Sequence, residues 1–144
     1  MSRFCILGLF GLMGVAMCAE GPKQPPLHRQ TEFSFVIGAP LKTAFPLFGA
    51  YKEREWADGW DPDYIHPVPA GDETGAVFIV KGGHSSVWIN TVYDLSRGHI
   101  QYACFAKERM ATLINIHLYE DSAASTKASC VTSEQLCIPN QTNM

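Results

Sequence analysis

The chain has 144 residues, 47% of them hydrophobic. This length is enough for one domain with a single core and too short for two. Its 11 basic and 14 acidic residues give a net charge of −3, and no cluster of Lys and Arg occurs, which argues against a surface that binds nucleic acid. No apolar run after Ala19 approaches membrane-spanning length, which argues against a stable membrane span beyond that point.

The N-terminal segment predicts an export signal. A short basic start at Arg3 is followed by an apolar run over residues 4–17, which ends at the small residues Cys18 and Ala19. This run is short for a membrane span and typical of a secretory signal. We therefore expect residues 1–19 to be a signal peptide cleaved near Ala19, and the protein to be periplasmic or secreted. An uncleaved anchor and a lipoprotein acylated at Cys18 are the alternatives.

A proline-rich stretch separates this signal from the expected domain. Residues 20–30 contain three prolines and almost no apolar side chains, which is typical of an extended leader. Phe33, Phe35 and Ile37 then recur at every second position. This period of two predicts a first strand over residues 31–37.

Helical spacing follows the first strand. Apolar residues recur on one helix face at Leu41, Ala44, Phe45 and Phe48, and predict a short amphipathic helix. Because Pro46 lacks a backbone N–H, we expect the helix to kink or end there. A second short helical piece is expected over residues 51–57.

The rest of the chain predicts an antiparallel meander. Turn-sized gaps separate the expected strands, and parallel neighbours would need long crossovers instead. An edge segment over residues 64–67 precedes five strands, expected over residues 76–81, 86–93, 99–106, 111–119 and 126–132. The domain would then span residues 31–132, and residues 133–144 would form an irregular tail.

Polar residues predict which side of each strand faces the core. Gln101 separates Ile100 from Tyr102, so the latter two are expected to face inward. The same reasoning predicts three further inward sets: Phe78 with Val80; Ile89, Thr91 and Tyr93; and Ile114, Ile116 and Leu118. Trp88, Asn90 and Val92 are then expected on the opposite face of their strand.

At this point the sequence resembles the START-like or SRPBCC superfamily, in its polyketide cyclase/dehydrase-like branch. The resemblance covers residues 33–127 and depends on the order of several short motifs: Phe45-Pro46-Leu47-Phe48, Glu55-Trp56, Gly59-Trp60-Asp61-Pro62, Gly75-Ala76-Val77-Phe78, and Val87-Trp88 leading to Tyr93-Asp94. It implies an α+β helix-grip fold, in which a bent antiparallel sheet of six to seven strands wraps a long C-terminal helix around an apolar cavity. Relatives mostly bind hydrophobic small molecules, and some catalyse cyclisation or dehydration.

The sequence departs from this family where the closing helix is expected. Residues 132–144 offer only Leu136 and Ile138 as apolar anchors and contain Pro139, so the C-terminal helix is expected to be absent or truncated. The concave face would then lack its usual cover and expose apolar surface. A second subunit in a homodimer, a bound lipid, or a shortened gene product without independent function are the alternatives.

No residue pattern predicts a metal, cofactor or catalytic group. Asp58, Asp61 and Asp63 lack the spacing of a calcium loop and are interpreted as a solvated turn. The segment from His84 to Ser85 is followed by a strand where a nucleophile elbow needs a helix. The histidines lack metal-ligand spacing, although His66 and His84 are candidates for the rim of a cavity.

Cysteine usage predicts no disulfide or zinc framework. Cys5 and Cys18 lie in the expected signal, and an odd number remains: Cys104, Cys130 and Cys137. A Cys130–Cys137 pair stays open, although isolated small apolar residues are the favoured interpretation. No C-x-x-C occurs.

We therefore expect a noncatalytic protein that binds a hydrophobic small molecule or lipid. The residues expected to contact the ligand are large and inward-facing, or aromatic and near the mouth: Trp56, Trp60, Phe78, Tyr93, Tyr102 and Ile116. The alternative is an enzyme of the cyclase/dehydratase kind acting on a polyketide-like substrate, which requires an ionisable group inside the cavity.

Overall fold

A seven-stranded antiparallel sheet, in the order β1-β7-β6-β5-β4-β3-β2, organises residues 27–81, 85–107 and 109–136, which the computed structural model describes. Each strand from β2 to β7 pairs with the next along the chain, and β1 pairs with β7 at one edge. The predicted meander is confirmed. The strands are β1 (Leu27–Ile37), β2 (Pro62–His66), β3 (Val77–Val80), β4 (Ser86–Asp94), β5 (His99–Ala106), β6 (Met110–Ser122) and β7 (Ser125–Leu136).

The outer strands are longer than the sequence pattern predicts. β1 and β7 pair continuously from Leu27 opposite Leu136 to Ile37 opposite Thr126. The sheet therefore includes residues 27–30 of the expected leader and residues 133–136 of the expected tail. Side chains along β1 are exposed on both faces, so its polar first residues join the strand through backbone pairing without any apolar alternation.

Short helical segments connect β1 to β2 on one face of the sheet. They are α1 (Leu41–Ala44), a 3₁₀ turn (Phe45–Phe48) and α2 (Ala50–Glu53). Pro46 lies at the start of the 3₁₀ turn, so the predicted interruption of the helix is confirmed. The predicted second helix is real but begins and ends earlier than residues 51–57.

The core lies between these segments and the inner face of the sheet. Phe45 and Ala50 contribute from the helical side, against strand residues that are almost fully buried: Phe78, Ile100, Tyr102, Ile116 and Leu118. The inward orientation predicted for these strand residues is confirmed. No long closing helix is found in the described residues, and none of their helices has the length and apolar character needed to cross a membrane.

A β-bulge in β4 overturns the predicted orientation of Trp88, Asn90 and Thr91, whereas the inward prediction for Tyr93 is confirmed. Its register against β5 shifts between Asn90 and Val92. Trp88 and Asn90 face the core, Thr91 is exposed, and Tyr93 packs against the core after the bulge. The extra residue resets the alternation of sides, so a single period of two could not describe the strand.

Asn90 holds this irregular stretch in place. Its backbone N–H donates to the Ala76 carbonyl at 2.8 Å, and its carbonyl accepts from Gly75 at 2.7 Å. With its side-chain nitrogen turned towards them, the amide also donates to the carbonyls of Val92 at 2.7 Å and Gln101 at 3.1 Å. A buried polar side chain is tolerated here because its hydrogen bonds are satisfied.

Candidate functional site

A cavity of about 450 Å³ opens between the inner face of the sheet and the helical segments. Its floor comes from the sheet and consists of Tyr102, Ile114, Ile116, Ala128, Cys130 and Thr132. Its walls are aromatic and consist of Phe33, Phe35, Phe48, Trp56, Trp60 and Trp88, and Glu53 completes the lining. This volume and composition are those of a small-molecule site.

The floor follows directly from strand register. Tyr102 pairs with Ile114 across β5 and β6, Ile114 pairs with Thr132 across β6 and β7, and Ile116 pairs with Cys130. Paired residues point to the same side of a sheet, and every second residue along a strand does the same. The three strands therefore present one continuous patch to the cavity.

The aromatic walls form an interlocked cluster. The rings of Trp60 and Trp88 meet edge to face with centroids 5.4 Å apart, and Trp88 meets Tyr102 in the same way at 6.1 Å. Such edge-to-face pairs contribute beyond simple area burial. On the other wall, Phe35 lies with its centroid 6.1 Å from Phe33 and 6.2 Å from Phe48.

The polar atoms of these aromatic residues bond to the protein itself. The indole nitrogens of Trp56 and Trp60 donate to the carbonyls of Leu47 and Ala50, each at 2.8 Å. Trp88 Nε1 donates to Ser86 Oγ, and the Tyr102 hydroxyl donates to the Phe48 carbonyl, both at 2.8 Å. The rings therefore present mainly apolar surface to the cavity.

Glu53 is the acidic residue among the lining residues that the structure describes. It ends α2 and is half-buried, and burial together with the nearby charge of Asp72 raises the pKa of its carboxyl to about 7. Among the described residues, no hydrogen bond or ion pair reaches this carboxyl. The neighbouring cations are engaged elsewhere: Lys52 pairs with Glu55 at 2.6 Å, and Arg54 lies 3.6 Å from Asp61.

Four of the predicted ligand contacts line the cavity: Trp56, Trp60, Tyr102 and Ile116. Phe78 lies behind the wall, fully buried, with its ring stacked on Trp88 at 6.0 Å. Tyr93 points elsewhere and packs edge-on against Phe45 at 4.9 Å. Phe78 therefore supports the wall without forming it, and Tyr93 belongs to the core away from the cavity.

Of the two predicted rim histidines, the structure describes His66, which does not join the cavity lining. His66 lies beside Glu73, with its Nε2 3.4 Å from the carboxylate, and does not contribute to the lining. His84 falls outside the described residues. The acidic turn likewise stays on the surface, where Asp63 pairs with Lys81 at 2.8 Å. No group of three or more potential metal ligands occurs among the described residues.

Several lining residues were missed in the sequence. Trp88 was assigned to the outer face because the bulge hides its orientation. The period of two predicts that Phe33 and Phe35 share one face of their strand. It does not predict that this strand borders the cavity, because that position follows from its pairing with β7. Glu53 follows the buried Ala50 by three residues, a spacing that places both on one helix face.

No known protein-family model and no curated protein matches the chain, but solved structures do. Norcoclaurine synthase from Thalictrum flavum, in complex with dopamine and hydroxybenzaldehyde, has a TM-score of 0.61 at 11% identity, covering 94% of this chain and 80% of that one. The Zhui aromatase/cyclase from Streptomyces sp. R1128 has a TM-score of 0.56 at 14% identity, covering 76% and 69%.

A third similar structure is Ara h 8.0201, with a TM-score of 0.59 at 10% identity, covering 81% of this chain and 82% of that one. At such low identities the likeness establishes the fold alone. The chain has the START-like, polyketide cyclase-like fold expected from its sequence, without a long closing helix in the described residues.

Proposed function

We propose that this protein binds a hydrophobic small molecule in the cavity between the sheet and the helical segments. The observation that carries this proposal is the lining. Of the thirteen lining residues that the structure describes, twelve are neither acidic nor basic, and the donors of the Trp and Tyr side chains are already bonded within the protein. Such a surface makes few favourable interactions with water, and it is available to an apolar ligand.

Half-exposed aromatic residues supply the driving force. Phe33, Phe35 and Trp56 keep 52%, 42% and 55% of their surface exposed, so a ligand seated against them removes apolar area from water. Each Å² buried contributes about 25 cal/mol before the costs of association are subtracted. The fold similarity agrees, since norcoclaurine synthase was solved with two small aromatic molecules bound.

A second candidate function rests on Glu53. The cyclase/dehydratase alternative requires an ionisable group in the cavity, and a carboxyl with a pKa of about 7 is suited to take or give a proton near neutral pH. Turnover of a polyketide-like ketone by the wild-type protein, and its loss in Glu53→Gln, would support this function. Binding without turnover favours the first.

We further propose that residues 1–19 direct export, which N-terminal sequencing of the protein recovered from the periplasm or medium tests. An unchanged Met1 on intracellular protein contradicts export.

The open cavity also leaves room for a bound lipid or for a second subunit that covers the sheet. Native mass spectrometry of the purified protein distinguishes a retained lipid-sized mass from a dimer.

Blocking the cavity tests the binding proposal directly. Thr132→Trp places a large ring in the lining, whereas Ser133→Trp, one residue later on β7, places it on the opposite side of the sheet. We expect N-phenylnaphthylamine, a neutral apolar dye, to fluoresce with the wild type and with Ser133→Trp, and to lose this binding with Thr132→Trp. Equal binding by all three folded proteins contradicts the cavity as the site.

A further inference from the structure

The polar groups of the cavity are almost all committed to one another or to the backbone. The Trp and Tyr donors bond within the protein, and the Cys130 thiol has a side-chain hydrogen bond with Thr132. Among the described lining residues, this leaves the carboxyl of Glu53 as the uncommitted polar group. An ionised carboxylate only accepts hydrogen bonds, so above its pKa Glu53 offers a ligand a strong free acceptor.

The ionisable groups around the Glu53 carboxyl are acidic side chains. Asp72 acts on its carboxyl electrostatically, and the phenol of Tyr102 and the thiol of Cys130 lie close enough to sense the charge of Glu53. Lys52 and Arg54, the nearest cations in sequence, form ion pairs outside the cavity. An anionic ligand head would therefore meet like charge, and a cationic head would meet opposite charge in a poorly hydrated site.

The geometry points to a ligand that joins an apolar body to a protonated basic nitrogen, which donates to the carboxylate of Glu53. This inference rests on the proposed function and narrows its ligand class. The aromatic residues Trp60 and Trp88 in the lining are compatible with the same ligand, because aromatic rings can attract cations as well as apolar groups. A fatty acid or another apolar carboxylate is selected against by the same carboxylate.

Binding such a cation also resolves the unfavourable burial of Glu53. In the protein itself, desolvation and Asp72 oppose ionisation of this carboxyl and raise its pKa to about 7. A cation held against it favours the ionised form and lowers that pKa. Ligand binding is therefore coupled to proton release from Glu53 at and below about pH 7.

Three naphthalene probes of the same shape test the inference: naphthylmethylamine, naphthylmethanol and naphthoate. They are titrated calorimetrically into the wild-type protein at about pH 8, where both carboxyl and amine are mainly ionised. We expect the amine to bind about tenfold or more tightly than naphthoate, the scale of one charge-assisted hydrogen bond. Glu53→Gln should cancel this preference and leave naphthylmethanol unaffected.

Glu55→Gln is the matched control, since Glu55 lies two residues away, pairs with Lys52 and does not line the cavity. It should keep the wild-type order of affinities. If naphthoate or naphthylmethanol binds the wild type as tightly as the amine, or if folded Glu53→Gln keeps the amine preference, the inference is overturned while the proposed function stands. Binding of none of the three probes overturns the proposed function and the inference with it.

Discussion

The hydroxyl of Tyr102 donates a hydrogen bond to the carbonyl of Phe48, 2.8 Å away, although the two residues are 54 positions apart. This bond ties the floor of the cavity to the helical segment that forms one of its walls. Burial raises the pKa of the Tyr102 phenol well above its ordinary value, so the hydroxyl keeps its proton and remains a donor.

Removing that hydroxyl should loosen the cavity. Tyr102→Phe leaves the partly buried Phe48 carbonyl without this donor, and we expect the free energy of unfolding to fall by about 1–2 kcal/mol. Urea unfolding followed by circular dichroism measures the change. Tyr119→Phe, at a half-exposed tyrosine for which the structure shows only ring stacking on His117, is the control and should leave stability unchanged.

Gly98 should not tolerate a side chain. Its φ of +58° lies in the left-handed region, and an added Cβ would fall 2.0 Å from the carbonyl oxygen of Leu118. We expect Gly98→Ala to cost on the order of 2–3 kcal/mol in urea unfolding. Gly38→Ala, where no atom lies within 4 Å of an added Cβ, should be nearly neutral, and equal losses at both sites would contradict this explanation.

Glu53 should make the protein less stable as the pH rises. Its pKa is about 7 in the folded protein against an ordinary value of 4.5, so the folded state holds the proton more strongly. Its contribution is therefore fully present below about pH 4.5 and is lost as pH rises through 7, by an amount on the order of 2 kcal/mol. Glu53→Gln should remove this part of the pH dependence.

Comparing the two proteins at each pH isolates this effect from other titrating groups. Thermal unfolding of the wild type and Glu53→Gln should show a difference in stability that widens between pH 4.5 and 7. A constant difference across that range would show that the carboxyl is not desolvated in the folded protein.

The stacked histidines on the outer face should make the protein less stable as the pH falls. His99 and His117 are cross-strand partners with ring centroids 4.3 Å apart, and burial together with the His99 ring lowers the pKa of His117 below 6.5. A lowered pKa means that this contribution to stability is present above about pH 6.5 and is lost as pH falls. We expect His117→Gln to be less sensitive to acid than the wild type in thermal unfolding, and equal acid sensitivity would contradict this role.

The sequence predicts the centre of this fold better than its edges. Ile100, Tyr102 and Ile116 lie on regular strands with one buried face, so alternation alone identifies their orientation. The first residues of β1 carry no such pattern, because their pairing with β7 satisfies the backbone while their side chains are exposed. Only the partner strand shows that residues 27–30 belong to the sheet.

The site residues likewise include some that periodicity predicts and others that it does not. Tyr102 and Ile116 could be predicted from periodicity, whereas the wall position of Trp88 depends on a bulge held by Asn90, which leaves no clear pattern in the sequence. The position of Glu53 in the cavity depends on how a four-residue helix packs against distant strands. Such placement arises from tertiary packing, which local spacing does not encode.

The pairing of β1 with β7 also determines the order of events during synthesis. Five strands lie between these neighbours along the chain, and the Thr126 hydroxyl reaches back 87 residues to the Ala39 carbonyl. Closing so long a segment costs chain entropy before any contact is gained, so this edge assembles slowly and late. A ribosome must release nearly the whole domain before Phe33 and Phe35 find their strand partner. Until then the nascent chain exposes the unpaired edge of β1, which chaperones can bind.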